Sequence, residues 1–157
     1  HHVWTDGSCL NNGFPHALGG TGVWFSDGHE WNESRRLAGS FQTNQRAEIA
    51  AAVRALVVTR ENLGEIHGED APARIVLSMD SKYVVDAMTA WVEKWRWNGY
   101  VNVNRAPDAN GDLFRELDHV ISGLEDWGIC VKLAHIPRAQ NAGTDALSRI
   151  GAIGQFF

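Results

Sequence analysis

Hydrophobic and polar positions change period several times along this chain, and each change marks an element. Val3 to Cys9 begins with a bulky apolar pair, Val3-Trp4, and reads as a buried strand. Its aspartate, Asp6, falls where the strand is expected to give way to Gly7 and the looser run Asn11-Asn12-Gly13. Gly19 to Phe25 reads as a second strand, and Asp27-Gly28 as a hairpin turn. His29 to Leu37 reads as a third strand, with Trp31 as its bulky position. Three strands joined by short turns predict an antiparallel meander.

The period then becomes helical. Thr43 or Asn44 offers an N-cap, and Ile49, Val53, Leu56 and Val57 recur at helical spacing among helix-favouring alanines. This helix is expected to reach about Leu63, with Gly64 closing it. Beyond Pro72, Arg74 to Met79 is a nearly continuous apolar run that suits a central strand buried on both faces. At Asp80-Ser81 a new helix begins, with Tyr83, Val84, Ala87 and Trp91 at helical spacing, and Asn98-Gly99 ends it. The loop up to Asn110 is polar. Asp112 to Trp127 is amphipathic, with Leu113, Leu117, Val120, Ile121 and Leu124 on one face. Ile129 to His135 reads as the last strand, closed by Ile136-Pro137. Asn141 to Arg149 reads as a C-terminal helix anchored by Ala146, Leu147 and Ile150, with Asp145 at its middle. The order β-β-β-α-β-α-(α)-α-β-α predicts a single domain over residues 1–157, a central mixed sheet with helices packed against it.

The composition narrows the function classes. At 157 residues, 44% hydrophobic and 21% charged, the chain has the profile of a soluble globular domain with a sizeable core. It shows no apolar run of membrane-spanning length and no signal peptide, so no membrane partner and an intracellular site are expected, with nucleus, mitochondrion and cytoplasm indistinguishable. Cys9 and Cys130 lack metal-ligand spacing and read as free thiols. The net charge of −5 argues against a general phosphate binder. One stretch points the other way: Trp91 to Tyr100, WVEKWRWNGY, sets Lys94 and Arg96 among three tryptophans and a tyrosine. That is more aromatic surface than one helix face can bury. Exposed aromatics beside bases fit stacking on, or backbone contact with, a nucleic acid.

Four acids carry the candidate chemistry, although each alone has an ordinary reading. Asp6 suits a turn, Glu48 a favourable contact with a helix dipole, Asp80 an N-cap and Asp145 a solvated helix face. Two of them, however, end strands, and open α/β sheets bind ligands at the carboxyl ends of their strands. Four acids meeting there could not remain bare anions. They would need hard divalent cations with oxygen ligands, for which Mg²⁺ is the fitting choice. Two such ions about 4 Å apart would activate a water and stabilise the leaving oxygen of a phosphodiester.

The segments TDGSCLNNG, QTNQRAEIAA, MDSKYVVDAM, WVEKWRWNGY and HIPRAQNAGTDALSR, in this order from Thr5 to Arg149, resemble type 1 ribonuclease H in its eukaryotic-like form. The resemblance implies a ribonuclease H-like α/β (α+β) fold: a five-stranded mixed sheet with three N-terminal antiparallel strands and helices on both faces. It also implies endonucleolytic cleavage of the RNA strand of RNA–DNA hybrids with two Mg²⁺ ions, Mn²⁺ being an accepted substitute, to give 5′-phosphate and 3′-hydroxyl ends. The acidic quartet falls on Asp6, Glu48, Asp80 and Asp145, with Asp6 bridging the ions and Asp145 holding the one that activates water. His135 matches the family's mobile histidine, which assists product or proton release.

By the same resemblance, Cys9, Asn11, Asn12, Asn44 and Gln45 are expected to contact RNA 2′-hydroxyls and bases. Thr43 and Asn110 match a pocket for a DNA phosphate, and Tyr83, Trp91 and Trp95 an aromatic channel along the DNA strand. The 2′-hydroxyl distinguishes RNA from DNA, and short polar side chains suit its recognition. Three departures stand out. Phe41 occupies a position where the family often has arginine, the Trp-rich protrusion is poor in lysine, and HIPRAQN resembles retroelement and plant-type relatives rather than the glycine-rich form. The expected partner is the hybrid, bound by a monomer. If the residues belong to a longer polypeptide, a polymerase or hybrid-binding domain is its expected neighbour. Four readings stay open: a free-standing or catalytic-domain enzyme, the ribonuclease H domain of a retroelement reverse transcriptase, a non-catalytic hybrid-binding module, and a structural or protein-interaction domain using the Trp-rich helix.

Overall fold

The computed structural model of the chain describes residues 1–63, 74–98 and 110–154, and of Trp91, Trp95 and Asn98 the backbone alone. The expectations for Gly64, Pro72, Gly99, Tyr100 and the loop before Asn110, and for the side chains of Trp91 and Trp95, lie outside the described residues. Five strands form one mixed sheet: β1 (His2–Leu10), β2 (Leu18–Trp24), β3 (Glu33–Arg36), β4 (Arg74–Met79) and β5 (Cys130–His135). Their order is β3-β2-β1-β4-β5. The β1–β2 and β2–β3 pairs are antiparallel; β1–β4 and β4–β5 are parallel.

The helices are α1 (Asn44–Asn62), α2 (Lys82–Asp86), α3 (Val92–Asn98), α4 (Gly111–Asp126) and α5 (Ala142–Ile153). A π-helical turn, Ala87–Trp91, joins α2 to α3 where sequence periodicity predicts uninterrupted α-helix. Thr43 caps α1, its Oγ1 accepting the Arg46 N–H at 3.1 Å. Ser81, not Asp80, caps α2.

Side-chain alternation along β1 sorts the helices. Val3, Thr5 and Gly7 share one face and Trp4, Asp6 and Ser8 the other. A Cβ on Gly7 would come within 2.2 Å of the α1 backbone at Ala47 and Glu48, so α1 lies on the first face. There Val3, Val23, Ile49, Leu56, Leu77, Phe114, Leu117 and Leu124 form a fully buried core between sheet, α1 and α4. Truncating one of its leucines costs about 2–5 kcal/mol by the usual cavity penalty.

Helix α5 covers the second face, and two glycines of β2 let it approach. A Cβ on Gly20 would lie 2.2 Å from the Ser148 carbonyl oxygen, and one on Gly22 2.5 Å from that of Thr144. The contact face of α5 is therefore small and partly polar: Thr144, Ser148, Gly151 and Ala152 are buried. This corrects the expected anchors, since Ala146 is exposed, Leu147 half-buried and Ile150 58% exposed. Bulky side chains cannot fit between two backbones this close, so the large residues Ile150 and Ile153 face outward while Ala152 is buried.

Three other expectations need correction. β1 continues to Leu10, which places Asp6 in mid-strand, because β2 pairs with it across Gly7, Ser8 and Cys9. The third strand is four residues, not nine. Before it, a loop is closed by its own bonds: the Phe25 N–H donates to Asn32 Oδ1 at 2.8 Å, and Asn32 Nδ2 donates to the Ser26 carbonyl at 2.7 Å. Trp31 belongs to this loop and packs edge-on against Phe25. Finally, α5 begins at Ala142 and runs to Ile153, so Asp145 lies in its first turn rather than its middle.

Candidate active site

The parallel ladder between β1 and β4 ends at the pair Trp4–Ser78. Beyond it β4 stops at Met79, while β1 continues with its other edge still paired to β2. Asp80, the first residue past β4, is thereby brought beside Asp6, two residues past Trp4. Glu48 reaches the same spot from the second turn of α1. One oxygen from each of Asp6, Glu48 and Asp80 lies within 4.8 Å of the others. Asp145 joins from α5, hydrogen-bonded to the Asp6 carboxyl. Thus an edge of β1, the end of β4 and helices from both faces of the sheet bring together all four acids singled out in the sequence.

Burial makes this assembly electrostatically expensive. Asp6 is 6% exposed. Burial, followed by the Asp145 hydrogen bond and the charges of Asp80, Asp145 and Glu48, pushes its carboxyl up to about 8. Glu48 is raised as well: burial and the Asp80 charge outweigh the opposing Ser81 hydrogen bond and Arg138 charge. Ser81 Oγ donates to Glu48 Oε2 at 2.8 Å, and Asn44 Nδ2 donates to Glu48 Oε1 at 3.4 Å. Arg149 Nε lies 2.9 Å from Asp145 Oδ2, and the exposed Arg138 has its Nε 3.7 Å from Asp80 Oδ2. In both pairs the arginine is largely solvated, which limits how much of the acids' charge it offsets. The site keeps an excess of negative charge presented by oxygen donors alone, the donor set suited to a hard divalent cation.

His135 ends β5 in register with Met79, one residue before Asp80, and its side chain is exposed at the rim of the acids. The polar residues expected to read a nucleic acid fall into two groups around the α1 N-terminus. In one, Asn12 Oδ1 accepts the Asn44 N–H at 3.1 Å, beside Asn11, which adopts a left-handed φ of 56°. Cys9 is adjacent, donating its Sγ–H to the Gln42 carbonyl at 3.5 Å, and burial raises its thiol, keeping it protonated. In the other, the buried Asn110 donates from Nδ2 to Tyr83 Oη at 3.1 Å and to Gln45 Oε1 at 3.4 Å. Thr43 is the cap of α1, and Phe41, two residues before it, is 75% exposed. Of the Trp-rich stretch, Trp97 is 92% exposed and Arg96 pairs with Asp118 of α4.

Sequence reasoning missed five residues that build this site: Ser8, Ser81, Arg138, Asn141 and Ser148. Asn141 donates from Nδ2 to the Thr5 carbonyl at 3.0 Å, fixing β1 immediately before Asp6. Ser148 Oγ lies 3.4 Å from Asp6 Oδ2 and 2.5 Å from Ser8 Oγ. Only Ser81, directly after Asp80 at a strand–helix junction, had a readable capping signal.

The sequence profile of the RNase H family matches residues 1–153. A relative named Ribonuclease H1 in Mus musculus is 35% identical over 155 residues, covering 96% of this chain and 49% of its own length. A relative named Ribonuclease H in Shewanella sp. W3-18-1 is 37% identical over 153 residues, covering 96% of this chain and 87% of its own length. The chain therefore spans about half of the mammalian relative and most of the bacterial one. Among solved structures, foamy viral protease-reverse transcriptase in complex with dsDNA superposes with a TM-score of 0.68 at 24% identity. That match covers 96% of this chain and 92% of the viral one, and shows a common fold.

Proposed function

This chain belongs to the RNase H family, and we propose on that premise that it is an endonuclease hydrolysing the RNA strand of RNA–DNA hybrids to 5′-phosphate and 3′-hydroxyl ends. The observation that carries the proposal is the convergence of Asp6, Glu48 and Asp80 within 4.8 Å, with Asp145 bonded to Asp6. A non-catalytic binding module would not require four carboxylates held together against their own repulsion.

The residues fit a pair of Mg²⁺ ions, with Mn²⁺ as a substitute: the donors are all oxygens, and the charge on Asp6 is strongly disfavoured in their absence. When bound, such ions supply an activated water and stabilisation of the leaving oxygen. Asp6, Glu48, Asp80 and Asp145 would hold them, with Asp6, the acid shared by all the contacts of the cluster, contributing most. Ser81 and Asn44 orient Glu48 by their hydrogen bonds. His135, exposed at the end of β5, would assist proton transfer as product leaves.

Cys9, Asn11, Asn12, Asn44 and Gln45 are proposed to read the RNA strand through its 2′-hydroxyls. Thr43, Asn110 and Tyr83 are proposed to hold the DNA strand, with Trp91 and Trp95 continuing that track. The test is cleavage of a hybrid labelled on its RNA strand. Products are expected with Mg²⁺ and none with EDTA. A folded protein that leaves the hybrid intact across a range of Mg²⁺ and Mn²⁺ concentrations overturns the reading.

A further inference from the structure

The second face of β1 carries a polar contact that the four acids do not account for. Asp6 and Ser8 lie on this face opposite Gly22 and Gly20 of β2, and α5 settles onto the two glycines. That approach brings Ser148, fully buried, down to β1. Its Oγ lies 2.5 Å from Ser8 Oγ, 2.7 Å from the Asp145 carbonyl oxygen and 3.4 Å from Asp6 Oδ2.

An inventory of protons gives these contacts a direction. Either hydroxyl can donate across the Ser8–Ser148 contact, and Ser8 is the donor whenever the Ser148 proton is committed to Asp145 or Asp6. Ser148 then has one proton for two acceptors, the Asp145 carbonyl and the Asp6 carboxylate. The Asp145 carbonyl already accepts a helical N–H within α5, so surrendering the serine proton leaves it satisfied. The Asp6 carboxylate, once ionised, is the stronger acceptor. A chain of two hydroxyls, Ser8 to Ser148 to Asp6 Oδ2, can therefore aim at the acid from the α5 face of the sheet.

We infer that Ser148, with Ser8 behind it, is a positioning residue that holds the Asp6 carboxylate in the orientation that receives a divalent cation. The inference rests on the reading of Asp6 as a metal ligand. Ligating carboxylates are oriented by such outer hydrogen bonds, and losing one typically costs 10–100-fold in metal affinity or activity. Nothing in the chain's hydrophobic pattern requires a serine here: alanine would fill the same space and favour the helix more.

Mn²⁺ binding to the protein without nucleic acid, measured by calorimetry, tests the inference independently of turnover. Ser148→Ala is expected to weaken Mn²⁺ binding about tenfold, and to raise by a similar factor the Mg²⁺ concentration that gives half-maximal cleavage. The KM for hybrid and the thermal midpoint are expected to stay close to wild type. Ser8→Ala, on the strand and away from the helix contact, is expected to weaken Mn²⁺ binding by about threefold, and the double variant to be no worse than Ser148→Ala. An Mn²⁺ affinity within twofold of wild type in both single variants overturns the positioning role. So does a loss of activity in Ser148→Ala that follows the thermal midpoint while Ser8→Ala is silent. Wild-type protein that binds no Mn²⁺ would instead overturn the metal-ligand reading of Asp6.

Discussion

Replacing Asp6 with asparagine should make the metal-free protein more stable, and increasingly so as pH rises. In the folded chain, burial and three neighbouring acids lift the Asp6 carboxyl from 3.8 to about 8. Below about 3.8, folded and unfolded chains both hold the proton. Between about 3.8 and 8 the folded chain holds a proton that the unfolded chain has lost, so stability falls as pH rises; above about 8 the loss is complete. The slope for one proton is about 1.4 kcal/mol per pH unit, so Asp6 alone removes about 3 kcal/mol between pH 5.5 and pH 7.5. Glu48, also raised, adds a loss of the same sign. Asparagine keeps the shape, offers an N–H to Asp145 in place of the acid proton, and cannot ionise. In EDTA, the difference in unfolding free energy between Asp6→Asn and wild type should therefore widen by about 3 kcal/mol from pH 5.5 to 7.5. For a chain of this size that is about 6–12 °C in the difference between their thermal midpoints. Urea titrations at matched ionic strength at both pH values measure it. A difference that stays constant with pH would refute the argument, because it would mean that the Asp6 charge is not penalised in the fold. Saturating Mg²⁺ should restore wild-type stability at pH 7.5 by about 3 kcal/mol at a hundredfold excess over its dissociation constant, and should do much less for the variant.

Asp6→Asn should also abolish hybrid cleavage while hybrid retention in a filter-binding assay persists; measurable turnover in the variant would remove Asp6 from the centre of the chemistry. Gly22→Ala should force α5 away from the sheet, because its Cβ would meet the Thr144 carbonyl oxygen at 2.5 Å. A loss of about 1–3 kcal/mol in urea melts, together with reduced cleavage, is the expected result. Phe41→Arg places a cation on a side chain already 75% exposed, before the α1 cap. Hybrid binding should tighten, and its logarithmic dependence on salt should steepen by about one, as for one added phosphate contact. An unchanged slope would place Phe41 away from the phosphate backbone. Leu117→Ala, in the core between α4 and the sheet, should cost about 2–5 kcal/mol in urea melts and leave the metal dependence of the remaining activity unchanged.

The fold was most legible where a single face of an element meets a conventional core. The periodicity of α1, from Ile49 through Val53 and Leu56, and that of α4, from Leu117 through Leu124, are the faces that share the core with Val3 and Leu77 of the sheet. The apolar run of β4 likewise marks a central strand, the fourth in an order of five. Legibility failed where packing follows a different rule. Helix α5 binds through small residues over Gly20 and Gly22, so its largest apolar side chains point outward and an anchor search selects the wrong face. The third strand was overextended because His29 and Trp31 look like strand residues, while the side chain that closes their loop, Asn32, reads only as a polar interruption.

The acids were readable and their arrangement was not, for one physical reason. Sequence signals mark where a strand ends, whereas this site depends on where a pairing ends. Asp6 looked terminal because glycine follows it, yet β1 continues to Leu10; what stops beside Asp6 is the ladder to β4. The shortness of β4 lets Glu48 from one face and Asp145 from the other reach the same carboxylate, and pairing to β2 keeps Asp6 rigid while they do. The same geometry explains why the supporting residues gave no signal. Ser148 and Asn141 act across 142 and 136 positions of sequence on Asp6 and Thr5, and neither breaks a local pattern. Helix α5 therefore has two roles that its sequence period alone cannot reveal. It closes the second face of the sheet, and by coming close enough over two glycines it delivers both the fourth acid and the hydroxyl that faces the first.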